Sequence, residues 1–392
     1  MHKFNPEDLF LNRAKFVMKY LGVWIPPTNE SLLHKLYRSL MITLQYLFLI
    51  FQIIFIIQVW GDLEAVSQAF YLLFTQACLC LKVSVFHVNV DKLRELLKQM
   101  NGEIFQPQSD RQIQILSKQA SRIKALLLAF MVSSQFTCSL WAMKPLFDDV
   151  GSRKFPFDMW MPVSPEASPH YEIGYAIQVL TIGMSAYMYF GVDSVALSML
   201  IFACAQCEII MDKIMSVTSI NYAMKNKERQ KIFAENRKTL IDCVKHHEAL
   251  YAFTKLSEDA YHSYLFFQIS GNVGIFCMTA LRLTVVEWKS VQFFSMATYL
   301  YVMMGELFVC SWSGHELTST SEMLHTAMYD CPWYEQDVRF KRDLCFAMMR
   351  MSRPLVFRTG HYVSLSRQTF IAILRTSYSY FAVLVNQTKK ED

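Results

Sequence analysis

Most catalytic classes are excluded by what this sequence lacks. It contains no glycine-rich phosphate loop and no nucleophile elbow. His247-Glu248 and His315-Glu316 each lack the second histidine, four residues on, that a zinc-binding helix requires. Without these footholds the chain is expected to be no enzyme, with neither cofactor nor metal. Charged residues make up only 18% of the 392, and the net charge of +5 gives no reason to expect a nucleic-acid partner. No cysteine falls within 61–65, 144–172 or 287–290, the segments assigned below to the outer side, so no extracellular disulfide is expected. The first 39 residues have scattered charges and interrupted apolar stretches rather than a cleavable signal, so Leu40–Trp60 is expected to act as the signal anchor.

What the chain does have is apolar length. With 53% apolar residues, 30 Phe and 23 Met, it carries long runs at about 40–60, 66–90, 125–143, 173–205, 261–287, 291–313 and 366–387. Each is near the roughly 20 residues that a bilayer-spanning helix needs. Lysine and arginine are sorted between the connections: 29 of the 38 fall on one side, 6 on the other, and Lys82, Arg282 and Arg375 lie within spans. The positive-inside rule then places the N-terminus in the cytoplasm, and seven spans leave the C-terminus outside. The expected fold is an all-α membrane protein with seven transmembrane helices, in contact with lipid.

Around the spans, Asn5 can cap a helix, Pro6 suits its first turn, and Glu7 and Asp8 complement its positive end. Leu9, Phe10, Phe16, Val17, Tyr20 and Leu21 are expected on its apolar face, with Gly22 as the stop. The connections 91–124 and 211–259 are charged and helix-compatible, which predicts helical extensions into the cytosol. Pro145, Pro156, Pro162, Pro165 and Pro169 mark 144–172 as a stiff outer loop. The last element is split: a charged helical stretch from Glu335 to Met351, a break at Ser352-Arg353-Pro354, and a membrane half that re-enters at Val363–Arg367. The resulting organisation is a cytosolic amphipathic segment (1–39), membrane helices 1 to 6 with cytosolic extensions (40–323), a cytosolic anchor half of helix 7 (324–365), and its membrane half with a short outer tail (366–392). Thr376, Ser379/Tyr380, Val383 and Gln387 recur at helical spacing in that last half. Such a stripe must face protein or water, so it is either a packing seam or a pore lining. Cys78 and Cys80, like Cys204 and Cys207, sit within apolar helices, where a thiol is usually a packing residue.

In several segments the chain resembles an insect odorant receptor of the ligand-tuning kind. The similarity runs from Ala327-Met328-Tyr329 and Trp333 through Arg342-Asp343-Leu344 and Met349-Arg350 to Phe370–Leu374 and Ser377–Phe381. Leu21-Gly22-Val23-Trp24-Ile25-Pro26-Pro27 is similar to the family's N-terminal signature. The resemblance implies an odorant-gated, non-selective cation channel, a heterotetramer with the odorant receptor co-receptor, whose pore is lined by the membrane half of helix 7. The co-receptor carries a long insertion between spans 4 and 5; the connection here, about 50 residues, has no room for it. Alignment on Tyr380-Phe381 carries the pore positions to Val383, Asn386 and Gln387, with Asn386 standing where the co-receptor pattern has glutamine.

The implied ligand is a small neutral volatile, held among the outer halves of helices 2 to 6. Ser134, Thr137 and Trp141 repeat a pattern that lines the pocket in a relative, with Thr137 in place of a glycine. Phe70, Tyr71, Phe74, Tyr175, Gln178, Ile182 and Phe276 are placed there by depth alone, and ordinary packing is the competing reading of each. A G-protein-coupled receptor would need the opposite orientation, and Asp110-Arg111-Gln112 precedes span 3 rather than ending it with Asp-Arg-Tyr. A gustatory-receptor-like channel would show Thr-Tyr and Gln-Phe in the last helix, which Ser379-Tyr380 and Gln387-Thr388 match in part. No internal repeat suggests a transporter.

Overall fold

Ten α-helices and one hairpin account for most of the described residues in this computed structural model, which are 4–24, 31–147, 153–162, 168–220 and 225–391. The helices are α1 (Pro6–Tyr20), α2 (Leu32–Gln58), α3 (Leu63–Val88), α4 (Val90–Met100), α5 (Asp110–Phe147), α6 (His170–Met215), α7 (Asn226–Val285), α8 (Val291–Asp330), α9 (Val338–Met351) and α10 (Arg367–Glu391). Six of them, α2, α3, α5, α6, α7 and α8, are long and apolar enough to cross a membrane. At 25 residues, α10 is also long enough, at roughly 37 Å. It is less apolar because Arg367, Arg375, Ser377, Ser379 and Asn386 interrupt its Phe, Ile and Leu residues.

The spans overshoot the bilayer. α6 has 46 residues and α7 has 60, and their excess continues as a helical bundle beyond the apolar zone, as the charged connections predict. Phe10, Phe105, Phe202 and Phe253 meet edge to face at 5.5–5.8 Å in the core of that bundle. α6 is the central post, buried without a break from Met188 to Gln206. Between membrane helices, close packing replaces the hydrophobic drive of water, so small residues matter most at the contact. Gly191, Ser194, Ala196, Ser198, Ala203, Cys204 and Ala205 supply them here.

The structure corrects the sequence reading at four places. Asn5 caps α1 and Gly22, at φ +71°, ends it, but the buried face is Phe10, Leu11, Ala14 and Met18, packed on α6. Phe16 and Tyr20 point away, because the steps of three and four that join Phe10, Leu11, Ala14 and Met18 leave them on another face of the helix. Pro145 belongs to the last turn of α5, not to the loop; there its missing N–H costs one terminal bond, and the Tyr175 hydroxyl donates to the nearby Ala142 carbonyl. α8 runs without a break through 324, the expected anchor boundary, to Asp330. The chain re-enters at Val363 not as helix but as a strand, paired Arg358 to Ser364 and Thr359 to Val363 across a turn where Gly360 and His361 take positive φ. The signature residues Ile25-Pro26-Pro27 and Pro165 of the outer loop lie outside the described residues.

Candidate functional site

Four helices enclose a chamber of about 60 Å³. α3 contributes Leu72, Thr75, Gln76 and Leu79; α5 contributes Phe130, Ser134, Thr137, Cys138 and Trp141; α6 contributes Ile182, Ser185, Ala186 and Tyr189; α8 contributes Tyr299, Val302 and Met303. Each set follows the three- and four-residue steps of a single helix face.

Most polar atoms on this wall are already bonded within the protein. Ser134 donates to the Met131 carbonyl at 2.9 Å and Thr137 to that of Ser133 at 3.1 Å. Ser185 and Gln76 both donate to Gln45 Oε1, at 2.6 and 2.9 Å, and Thr75 pairs with the Tyr299 hydroxyl. A wall so satisfied selects by shape and dispersion. Two donors stand apart: Trp141 Nε1 and the Tyr189 hydroxyl are buried with no partner among the described residues.

Of the expected ligand residues, Ser134, Thr137, Trp141 and Ile182 line the chamber. Tyr71 sits at its edge, 6.0 Å from the Trp141 ring and 5.4 Å from Tyr299, and borders a smaller polar recess with Gln68, Lys144 and Asp158. Gln178 is buried but clamps the Phe157 backbone with both ends of its amide, at 3.1 and 3.3 Å. Phe157 in turn packs on Trp141 at 5.5 Å, so Gln178 fixes the cap over the chamber rather than its wall. Phe70 and Phe74 pack on each other at 4.5 Å, Phe74 facing Gly274 of α7; Tyr175 holds the end of α5; Phe276 is buried in α7 away from the chamber. Depth along a helix could not choose the face on which these residues lie. Tyr189 was within reach of the sequence, since helical steps from Ile182 lead through Ser185 to it. Tyr299 and Met303 were not, because nothing in α8 anchored a face.

One turn further along α3, α6 and α8 lies an ionic cluster that the sequence did not reveal. Lys82 Nζ contacts both Asp193 oxygens at 2.8 and 2.9 Å and Glu306 Oε1 at 2.9 Å, and all three side chains are at most 2% exposed. The same ammonium lies 3.3 Å from the centre of the Tyr189 ring. Gln268 of α7 donates to Glu306, which brings a fourth helix into the cluster. Each charge placed at the centre of a membrane helix costs about 2.5–3.5 kcal/mol, so three together are retained only where they pair.

α10 packs Ile373 and Ser377 inward against α7 and α8, and Phe370 meets Phe308 of α8 at 5.6 Å. The other side carries Thr376, Ser379, Tyr380, Val383 and Asn386, all exposed, Val383 at 56%. Thr376 and Ser379 satisfy their hydroxyls on backbone carbonyls four residues back. The Gln387 side chain lies outside the described residues.

His247, singled out for its neighbour Glu248, is buried beside His246 in the extension of α7. His246 Nε2 is 2.9 Å from Gln206 Oε1, and burial pushes its pKa down to about 3 and that of His247 to about 4. Among the described residues no three His, Cys, Asp or Glu gather as metal ligands.

A family model described as 7tm Odorant receptor matches residues 62–378. Odorant receptor Or1 of Anopheles gambiae is 23% identical over 98% of both chains. Odorant receptor 2a of Drosophila melanogaster is 40% identical over 24% of this chain and 23% of its own. Among solved structures, the olfactory receptor OR5 of Machilis hrabei, in complex with eugenol, superimposes with a TM-score of 0.83 over 97% of this chain and 99% of its own, at 16% identity. At that identity the likeness is one of fold.

Proposed function

Since the chain belongs to the odorant receptor family, we propose that it is the odorant-tuning subunit of a heterotetrameric, ligand-gated, non-selective cation channel, formed with the family's co-receptor in the plasma membrane. Seven helices cross the bilayer, with the N-terminus cytoplasmic and the C-terminus extracellular, in keeping with the 29-to-6 split of basic residues. The observation that carries the channel reading is the exposed stripe on α10. Polar groups in a membrane helix face protein or water, and this chain's own helices leave Thr376, Ser379 and Asn386 uncovered. A neighbouring subunit and a water-filled pore would cover them together. The short link between Met215 and Asn226 favours the tuning role, having no room for the co-receptor's insertion.

The ligand is a small neutral volatile in the chamber around Ser134, Thr137, Trp141 and Ile182. Its body is held by dispersion, and a single carbonyl, ether or hydroxyl oxygen could accept from the free Trp141 N–H. Binding displaces the inner ends of α6 and α8, and the motion reaches α10 through the Phe308–Phe370 contact. The pore opens as Val383 withdraws from a constriction that excludes water. Thr137→Phe, which fills the chamber, tests this in cells that co-express the co-receptor. Odorant-evoked current should fall at least about tenfold in sensitivity, the loss expected when about 1.4 kcal/mol of ligand contact is removed, with surface expression kept. An unchanged response would place the ligand elsewhere.

A further inference from the structure

Lys82, Asp193 and Glu306 sit directly beneath the chamber. Leu79, Tyr189 and Met303 form its floor, and the three charged residues follow them by one turn on α3, α6 and α8. Tyr189 joins the two layers, with its ring in the chamber wall and over the Lys82 ammonium. One ammonium faces two carboxylates, so the fully ionised cluster carries an uncompensated negative charge in the membrane core. Among the described residues no further charge balances it: the groups that face it are Tyr189 of α6, Tyr264 and Gln268 of α7, Cys78 of α3, and Tyr299 and Cys310 of α8, all uncharged. Glu306 Oε2 has no donor and Gln268 Oε1 no partner among the described residues. An ionised carboxylate in that position would leave a charged oxygen unsatisfied, which a dry interior penalises heavily. A proton on Glu306 removes the excess charge, and with the Gln268 amide turned over, its O–H gains an acceptor.

We propose that Lys82, Asp193 and protonated Glu306 form a charge-neutral latch, which holds α8 against α3 and α6 in the closed channel and is strained by odorant through Tyr189 and Met303. These are positioning residues: they do not touch the ligand. The proposal rests on the channel reading above. It explains why three membrane helices that line the ligand chamber also carry charges one turn deeper, where apolar packing would serve a static bundle as well. Glu306 stands two residues before Phe308, whose ring meets Phe370 on the pore helix, so release of the latch frees the segment of α8 that touches α10.

The test uses this chain co-expressed with the co-receptor and measures surface density, basal current as a fraction of maximal current, and odorant sensitivity. Glu306→Gln, which copies the protonated acid, should keep all three near wild type. Lys82→Gln strands the Asp193 charge and should lower surface density about tenfold or more. Lys82→Gln with Asp193→Asn should restore surface density, whereas Lys82→Gln with Glu306→Gln should not. The restored double variant has lost the latch, so its basal fraction should rise severalfold and its half-maximal odorant concentration fall about three- to tenfold. Loss of surface density in Glu306→Gln overturns the proton assignment. Failure of Lys82→Gln/Asp193→Asn to reach the surface overturns the charge balance, and wild-type gating in that variant overturns the latch. If wild-type chains at the surface give no odorant current, the channel reading fails instead, while the surface densities still decide where the proton resides.

Discussion

On the proposed reading, Thr137 sets how large a ligand the chamber admits. Its side chain stands between Ser134 and Trp141 in a space of only about 60 Å³, at the position where the resemblance implies a glycine in a relative. Thr137→Gly should therefore shift preference toward bulkier odorants, seen as a lower half-maximal concentration for the larger members of a homologous series. Trp141→Ala removes the aromatic wall and the free donor together; it should weaken responses about tenfold, the order of one lost anchoring contact, without loss of surface expression. An unchanged curve would make Trp141 a packing residue. The place of these two and of Ser134 on the chamber wall was legible because a motif fixed their helix face, whereas Ile182 was placed by depth alone. Phe70, Phe74 and Phe276 were not legible, because hydrophobicity reveals depth in a membrane but says little about direction when helices are apolar all round. A separate residue-scale consequence concerns His246 and His247. Burial keeps both neutral, with pKa values near 3 and 4 against an ordinary value of about 6.5. Their stabilising effect is fully present above pH 6.5. Below it the unfolded chain takes up protons that the folded chain refuses, so stability should fall by about 1.4 kcal/mol per pH unit for each histidine. The melting temperature of the purified complex should drop accordingly between pH 6.5 and 4.5, and His246→Gln should flatten that slope; an unaltered slope would contradict the burial argument.

Among the elements, α10 carries the sharpest expectation. Val383 is an aliphatic side chain exposed at 56% amid hydroxyls and amides, as a constriction facing water in a closed pore would be. Val383→Thr keeps its shape and adds a hydroxyl that stabilises water in the gap. Current in the absence of odorant should rise, modestly, because only this subunit's share of the ring changes; unchanged basal current would make the stripe a packing seam. The element itself was visible in the sequence from its re-entry after Pro354 and its period of small polar residues. Other elements were legible in kind but not in extent. Apolar length marks where α5 and α8 cross the membrane, yet it does not mark how far their charged continuations run, back to Asp110 and on to Asp330. The Arg358–Ser364 hairpin was missed because two residues per strand make no period, and its turn depends on backbone angles at Gly360 and His361. α1 was predicted at its caps, where local chemistry decides, and misjudged on its face, where α6 decides.

At the scale of the whole molecule, orientation follows from the basic residues: an epitope tag at the C-terminus should stain unpermeabilised cells and one at the N-terminus should not, the reverse pattern refuting the topology. The all-α membrane fold class was open to reading because bilayer thickness and backbone satisfaction leave few options. The ionic cluster was not, since Lys82 is separated by 111 residues from Asp193 and by 224 from Glu306, and only the folded bundle brings them together. The same would hold for a pore shared between subunits. The most direct measurement is block of the odorant-evoked current by external divalent cations in channels shown to contain this chain beside the co-receptor, with and without Gln387→Glu. A carboxylate added near the outer mouth concentrates cations there. If this subunit lines the pore, the variant's current should be blocked at lower divalent concentration than the wild type's. Identical block would show that ions pass without meeting α10, and the chain would then be a receptor that does not form the channel.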